Sequence, residues 1–301
     1  MIGVFVIMEI QFLYLTAIHL QEGQSNRKIF QHNVIILNIY KRSSHMEYEN
    51  IIVEKKGNIS IVTLNHPPAN AWNLATTEEF VKVIDELEGD KETRVVIITG
   101  AKDLCFSAGF DVTDAENGPK ISPMGRGLWR RIDRFNKPVI AAINGFAMGG
   151  GLELAMSCHF RIMVDDPKAT VGLTELNLGI IPGWGGTQRL PRLVGKGRAL
   201  DMILFSKRID AKEALEIGLI NQISKPEKLM DDALEFAQKL AERPPIAVSC
   251  VLKAMHTGDY EGLDAGLRVE EEGSIVVRDS KDRIEGFKAF LEKRKPVFKG
   301  E

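Results

Sequence analysis

The spacing of apolar residues divides most of the chain into alternating strand-like and helix-like segments. Ile51-Ile52-Val53 and Ile59-Ser60-Ile61-Val62-Thr63-Leu64 flank Lys56-Gly57-Asn58, which predicts two strands around a glycine-containing turn. Asn65-His66-Pro67-Pro68-Ala69-Asn70-Ala71-Trp72-Asn73 carries the prolines and asparagines of a loop. Thr76 or Thr77, with Glu79, can start a helix that places Phe80, Val83, Ile84 and Leu87 on one side. Val95-Val96-Ile97-Ile98-Thr99 lacks polar alternation, the pattern of a strand covered on both faces. Val139 to Ile143 has the same texture; Asn144-Gly145 then turns the chain, and Gly149, Gly150 and Gly151 open an apolar segment that favours helix. Phe160 to Val164 reads as a further strand.

From Lys196 onward the period is helical. Ala211 to Ile217 ends at Gly218, Leu229, Ala233, Phe236, Ala237 and Leu240 recur at helical spacing, and two more helices are expected over Ile246 to His256 and Ala265 to Leu291. Gly118-Pro119 through Gly127 is punctuated by glycine and proline and is expected to be a loop before Leu128-Trp129-Arg130-Arg131-Ile132. Strands alternating with helices predict an α/β core followed by a helical C-terminal part.

Residues 1–45 differ from this texture. Met1 to Leu20 is mostly apolar, but Glu9, Gln11 and His19 interrupt it, and no basic residue precedes it as in a signal peptide. The expected organisation is a poorly ordered N-terminal extension over 1–45, a core over 46–240 and a C-terminal helical region over 241–301. At 301 residues the chain is long enough to bury a sizeable core. With 39 basic and 41 acidic side chains it carries a formal charge of -2, which argues against a dominant nucleic-acid surface. Cys105, Cys158 and Cys250 are widely separated and lack metal-ligand spacing, the usage of a reduced, cytoplasmic compartment.

Candidate chemistry gathers at the glycine run. A helix start exposes backbone N–H groups and the positive end of the helix dipole, and three glycines let a ligand approach them closely. The run lacks the Gly-Lys-Ser/Thr ending of a P-loop, and Gly145 to Gly151 does not follow the Gly-x-Gly-x-x-Gly dinucleotide pattern. An oxyanion hole with Glu153 just inside the helix remains, beside a plain close-packing role for the glycines. Phe106-Ser107-Ala108-Gly109-Phe110-Asp111 follows a buried strand and could offer a second N–H, or be an ordinary turn. Glu175 stands among leucines, where a carboxylate must be paired, hydrogen-bonded or protonated unless it is a surface residue or helix cap.

Three stretches in order resemble the enoyl-CoA hydratase/isomerase (crotonase) family: Ser107-Ala108-Gly109-Phe110-Asp111, Ala142-Ile143-Asn144-Gly145 running into Gly149-Gly150-Gly151-Leu152-Glu153, and Leu178-Gly179-Ile180-Ile181-Pro182-Gly183-Trp184-Gly185-Gly186-Thr187-Gln188-Arg189. The resemblance implies an α/β fold with a repeated ββα core and a C-terminal helical region that builds trimers or dimers of trimers. It implies a coenzyme A thioester as substrate, bound without metal or other cofactor, with its carbonyl oxygen held by the N–H groups of Phe110 and Gly150. Glu153 and Glu175 match the two glutamates of the hydratases, with Glu153 activating water and Glu175 delivering a proton to Cα. Ala71, Ala108, Asp111 and Gly149 match further substrate contacts. The segment 164–170 is longer than in typical hydratases and Thr174 stands where proline is usual, features that bear on where Glu175 comes to rest. Isomerase activity, which needs one carboxylate, and RNA binding, known in some relatives, are the alternatives; neither nucleic acid nor a membrane is expected as a partner.

Overall fold

Runs of β-branched residues without polar interruption build the central sheet. In a computed structural model of the protein the described residues are 48–101 and 105–301, so the expected extension over 1–45 and the change of texture at Met46 lie outside them. Six strands, β1 (Ile51–Lys56), β2 (Ile59–Leu64), β4 (Val95–Gly100), β6 (Val139–Ile143), β8 (Phe160–Val164) and β10 (Gln222–Ser224), form one sheet in the order β1-β2-β4-β6-β8-β10. β1 and β2 pair antiparallel around Gly57, whose φ of +60° suits the turn, and all other pairs are parallel. Every residue of β4 and β6 is buried, as their unbroken apolar texture requires.

Each long parallel strand is followed by a two-residue strand in a second layer: β3 (Ala71–Trp72), β5 (Gly109–Phe110), β7 (Ala147–Met148) and β9 (Val171–Gly172). β3 pairs with β5, β7 pairs with β9, and a bridge between Ser107 and Ala147 links the pairs. After three of the four short strands comes an α-helix: α1 (Leu74–Gly89), α2 (Gly118–Asp133) and α3 (Gly150–Ser157). The fourth is followed by a 3₁₀ turn over Glu175–Leu178 and then α4 (Gly186–Val194). The chain therefore repeats a ββα unit, and the repeats deliver the C-terminal ends of the short strands to one neighbourhood.

Three expectations are corrected. Residues 118–127 are the first half of α2, which buries Ile121, Gly125, Leu128, Trp129 and Ile132. Helix α1 starts at Leu74 with Asn73 as its cap, Asn73 Oδ1 accepting from the Thr76 N–H at 2.8 Å, instead of at Thr76 or Thr77. The remaining helices are α5 (Lys196–Leu204), α6 (Ala211–Glu216), α7 (Leu229–Ala241), α8 (Pro245–Glu261), α9 (Leu263–Arg278) and α10 (Lys281–Leu291). The expected helix over Ala265 to Leu291 is thus two, because Ser280 caps α10 by accepting from the Arg283 N–H at 3.1 Å. Small residues bring α8 and α9 together: a Cβ on Gly266 would lie 2.8 Å from Gly258 Cα, and one on Gly273 would lie 2.9 Å from Cys250 Cβ.

Candidate active site

Helix α3 begins on Gly149, whose φ of +50° and ψ of -123° are strained for any residue with a Cβ. The turn before it is pinned by backbone bonds, Met148 N–H donating to Ser107 O at 3.0 Å and Gly149 N–H to Gly172 O at 2.9 Å. Gly150 is the first helical residue, so its N–H has no acceptor within the helix. Its carbonyl accepts from the Trp129 indole Nε1 at 3.0 Å, which fixes the peptide from behind. A side chain on Gly150 would enter the ring of Trp184, and a Cβ on Gly151 would lie 2.8 Å from Ser107 Cβ. The glycine run is therefore dictated by backbone conformation at its first member and by close neighbours at the other two.

β5 approaches this helix start from the side. Gly109, at φ +89°, packs so closely that a Cβ there would lie 3.0 Å from the Gly150 nitrogen. The Gly109 N–H donates to Ser107 Oγ at 3.1 Å and the Asp111 N–H to Trp72 O at 3.1 Å. Because successive N–H groups of a strand point to opposite sides, the Phe110 N–H is directed away from β3. The backbone at Gly109–Phe110 and the nitrogen of Gly150 thus meet at one corner. Around it, Ala71 pairs with Gly109, and the Ala108 N–H donates to Ala69 O at 2.9 Å. The Asp111 carboxylate caps the following 3₁₀ turn, accepting from Thr113 N at 2.9 Å and Thr113 Oγ1 at 2.6 Å.

Both glutamates reach the same corner. Glu153 is 1% exposed, and its Oε1 accepts from the backbone N–H of Trp184 at 2.8 Å and of Gly186 at 2.7 Å. Burial pushes its carboxyl above the usual carboxylate range, opposed by those two N–H donors and by the charge of Arg189. Glu175 is 9% exposed, and a Cβ on Gly149 would lie 3.1 Å from its Oε1, so the carboxylate rests against the start of α3. Its Oε2 is buried without a hydrogen-bond partner among the described residues. Burial first, and then the charge of Glu153, push this carboxyl up to about 7. The longer segment 164–170 therefore does not carry Glu175 away from Glu153.

Sequence reasoning gave no role to the residues that hold Glu153. Trp184 and Gly186 bind it through the backbone, and Arg189 steadies that loop by donating from Nη1 to Trp184 O at 2.9 Å while Nη2 lies 3.3 Å from Asp133 Oδ2. A Cβ on Gly185 would lie 3.0 Å from the Arg189 Cζ, so the glycine is needed beneath the guanidinium. The available signal was a tryptophan between glycines followed by an arginine on the first turns of a helix. Trp129 is fully buried and its indole donates to the carbonyl of Gly150.

Backbone N–H groups at a helix start beside two buried carboxylates, on a repeated ββα frame, form an arrangement suited to acid–base chemistry. The sequence model of the family described as enoyl-CoA hydratase/isomerase matches residues 54–301, and the chain belongs to that family. It is 43% identical over 256 residues to the short-chain-enoyl-CoA hydratase of Clostridium acetobutylicum, covering 83% of this chain and 97% of that protein. It is 39% identical to the crotonyl-CoA hydratase of Syntrophomonas wolfei, over 84% of this chain and 99% of that one. Its fold is similar to the crystal structure of an enoyl-CoA hydratase from Bacillus anthracis, with a TM-score of 0.81 at 41% identity, covering 84% of this chain and all of that one.

Proposed function

We propose that this chain is an enoyl-CoA hydratase, adding water across the 2,3 double bond of a 2-enoyl-CoA thioester to give the 3-hydroxyacyl-CoA. The observation that carries the reading is the unequal pair at one corner, Glu153 with an oxygen fixed by two N–H donors and Glu175 with a buried, unpartnered oxygen. Hydration needs both a base for the water and an acid for the α-carbon, each worth roughly 10²- to 10⁴-fold. Glu153 takes a proton from water as the oxygen bonds to Cβ, the π electrons shift toward Cα and the thioester oxygen, and Glu175 gives its proton to Cα. The negative charge on the thioester oxygen is met by the N–H groups of Phe110 and Gly150, and such a donor lowers the barrier by about 3–4 kcal/mol. The two glutamates then exchange protons with solvent and the cycle restarts. Ala71, Ala108, Asp111 and Gly149 line the thioester through their backbones. Coenzyme A is part of the substrate, and atoms and electrons balance without a metal or redox cofactor.

The same reading includes assembly into homotrimers or dimers of trimers and action in the cytoplasm on acyl-CoA thioesters, with neither nucleic acid nor membrane as partner. Supporting assembly, Leu263, Phe287, Phe290 and Leu291 on α9 and α10 are exposed, Phe290 by 82%. Among the described residues no helix is long and apolar enough to cross a membrane. The test is turnover of crotonyl-CoA, followed as loss of the conjugated enoyl absorbance. Hydration of crotonyl-CoA is expected; inert crotonyl-CoA with conversion of a 3-enoyl-CoA to its conjugated isomer would replace this reading with the isomerase.

A further inference from the structure

We infer that the indole of Trp184 is the end wall of the acyl site and restricts the enzyme to short enoyl chains, an inference that rests on the hydratase reading above. Five contacts place the residue. Its backbone N–H holds Glu153 Oε1, so the residue begins at the group that meets Cβ of the substrate. Its six-membered ring covers Gly150, where a Cβ would collide with it, and it stands edge-on to Phe110 at 6.4 Å between centroids. On its far side it packs edge-on to Trp129 at 5.3 Å and against Gly125 of α2, where a Cβ would lie 2.6 Å from Trp184 Cε2. The ring therefore touches both residues that hold the thioester oxygen and springs from the loop that holds the base. A chain whose carbonyl sits at Phe110 and Gly150, and whose Cβ faces Glu153, meets the indole with its next carbons.

What lies behind the ring strengthens the inference. Trp184 is 5% exposed, and a cavity of about 310 Å³ borders it, lined by Arg126, Arg130, Asp133, Arg134, Arg189 and His256. An aliphatic tail driven past the indole would enter that cavity and desolvate guanidinium groups without offering them a partner. On this side the indole therefore borders a cavity that holds several guanidinium groups.

The experiment compares kcat/KM for crotonyl-CoA and 2-decenoyl-CoA in the wild type, Trp184→Ala and Trp184→Leu, with circular dichroism and thermal melting of each. The wild type is expected to prefer crotonyl-CoA by on the order of 10²-fold, since single methylenes at a closed pocket already discriminate by about 10-fold or more. Both substitutions keep the backbone N–H to Glu153, and a folded variant is expected to raise the decenoyl-to-crotonyl ratio by about 10-fold or more, more for alanine than leucine. Wild-type kcat/KM that is equal for the two substrates, or a folded Trp184→Ala with an unchanged ratio, overturns the wall. If neither variant folds, the wild-type preference alone decides. Failure of the hydratase reading is distinguishable, because it would appear as no hydration of either substrate by the wild type.

Discussion

Glu153 leaves a helix fixed from several sides, whereas Glu175 leaves a four-residue 3₁₀ turn and lies against bare backbone. Around Glu153, two N–H groups of one loop converge on Oε1, and that loop is itself held by Arg189, whose partner is Asp133. Around Glu175, the neighbour is Gly149, and Oε2 has no hydrogen-bond partner among the described residues. Burial raises both carboxyls, but at Glu153 two N–H donors and the charge of Arg189 oppose it, whereas at Glu175 a neighbouring negative charge adds to it. The proposed assignment of Glu153 as base and Glu175 as acid draws on this inequality.

The largest expected effect removes either role outright. Glu153→Gln and Glu175→Gln should each lower kcat for crotonyl-CoA hydration by roughly 10²- to 10⁴-fold. The comparison is sharpened by the pH profile of the residual activity: a limb near pH 7 should survive in Glu153→Gln, displaced downward because the charge of Glu153 is one of the causes that raise Glu175, and should vanish in Glu175→Gln. A limb retained in Glu175→Gln would show that the acid has been misassigned.

Next in size is a change confined to the Glu153 side. Arg189→Met removes the donor to Trp184 O and the cation beside Asp133, and displacement of the loop N–H groups should cost up to about 10²-fold in kcat. The limb near pH 7 should stay where it is, because Arg189 is not among the causes that shift Glu175. Movement of that limb would mean that the two environments are coupled through the loop.

Smaller still is the wild-type pH dependence itself, about tenfold per pH unit beyond the governing pKa. Hydration uses protonated Glu175, so kcat should fall as pH rises through about 7. Dehydration of 3-hydroxybutyryl-CoA starts from the pair carrying the same single proton, now on Glu153, so its kcat/KM should follow the same pH profile as hydration. Stopped assays in both directions over that window check the sign, and a hydration rate that rises as pH passes through about 7 would contradict the acid role.

Much of this arrangement could be read before any coordinates. The hairpin at Gly57, the buried strands β4 and β6 and the helix opened by the glycine run all follow from local pattern, because apolar texture and turn residues act over a few positions. The two glutamates were visible through their motifs. Residues 118–127 were misread because Gly118, Pro119, Pro123, Gly125 and Gly127 all lower helix propensity. Yet Pro119 falls in the first turn, where its missing N–H costs nothing, and burial of Ile121, Leu128 and Trp129 outweighs the remainder. Gly125 is small because Trp184 returns to it from 59 positions away, a distance no local pattern encodes. The N–H groups that hold Glu153 were hidden for the same reason, since their approach depends on how a distant loop folds back.

The last consequence of the unequal pair concerns stability. The carboxyl of Glu175 titrates at about 7 in the folded chain against an ordinary value of 4.5, so the folded state binds this proton more tightly than the unfolded state does. The resulting stabilisation is fully present below 4.5 and is lost as pH rises to about 7, the sense required when the native state carries the extra proton. Its size is about 1–2 kcal/mol between pH 5 and pH 8 after allowance for residual solvation of the carboxylate. Urea unfolding at those two pH values should show the loss in the wild type, and Glu175→Gln, which stays neutral, should lose less. The difference between the two proteins isolates this group from every other titration in the chain. An identical pH dependence in both would mean that the turn relaxes and admits water around an ionised Glu175, and the division of labour between the carboxylates would then need a source other than burial.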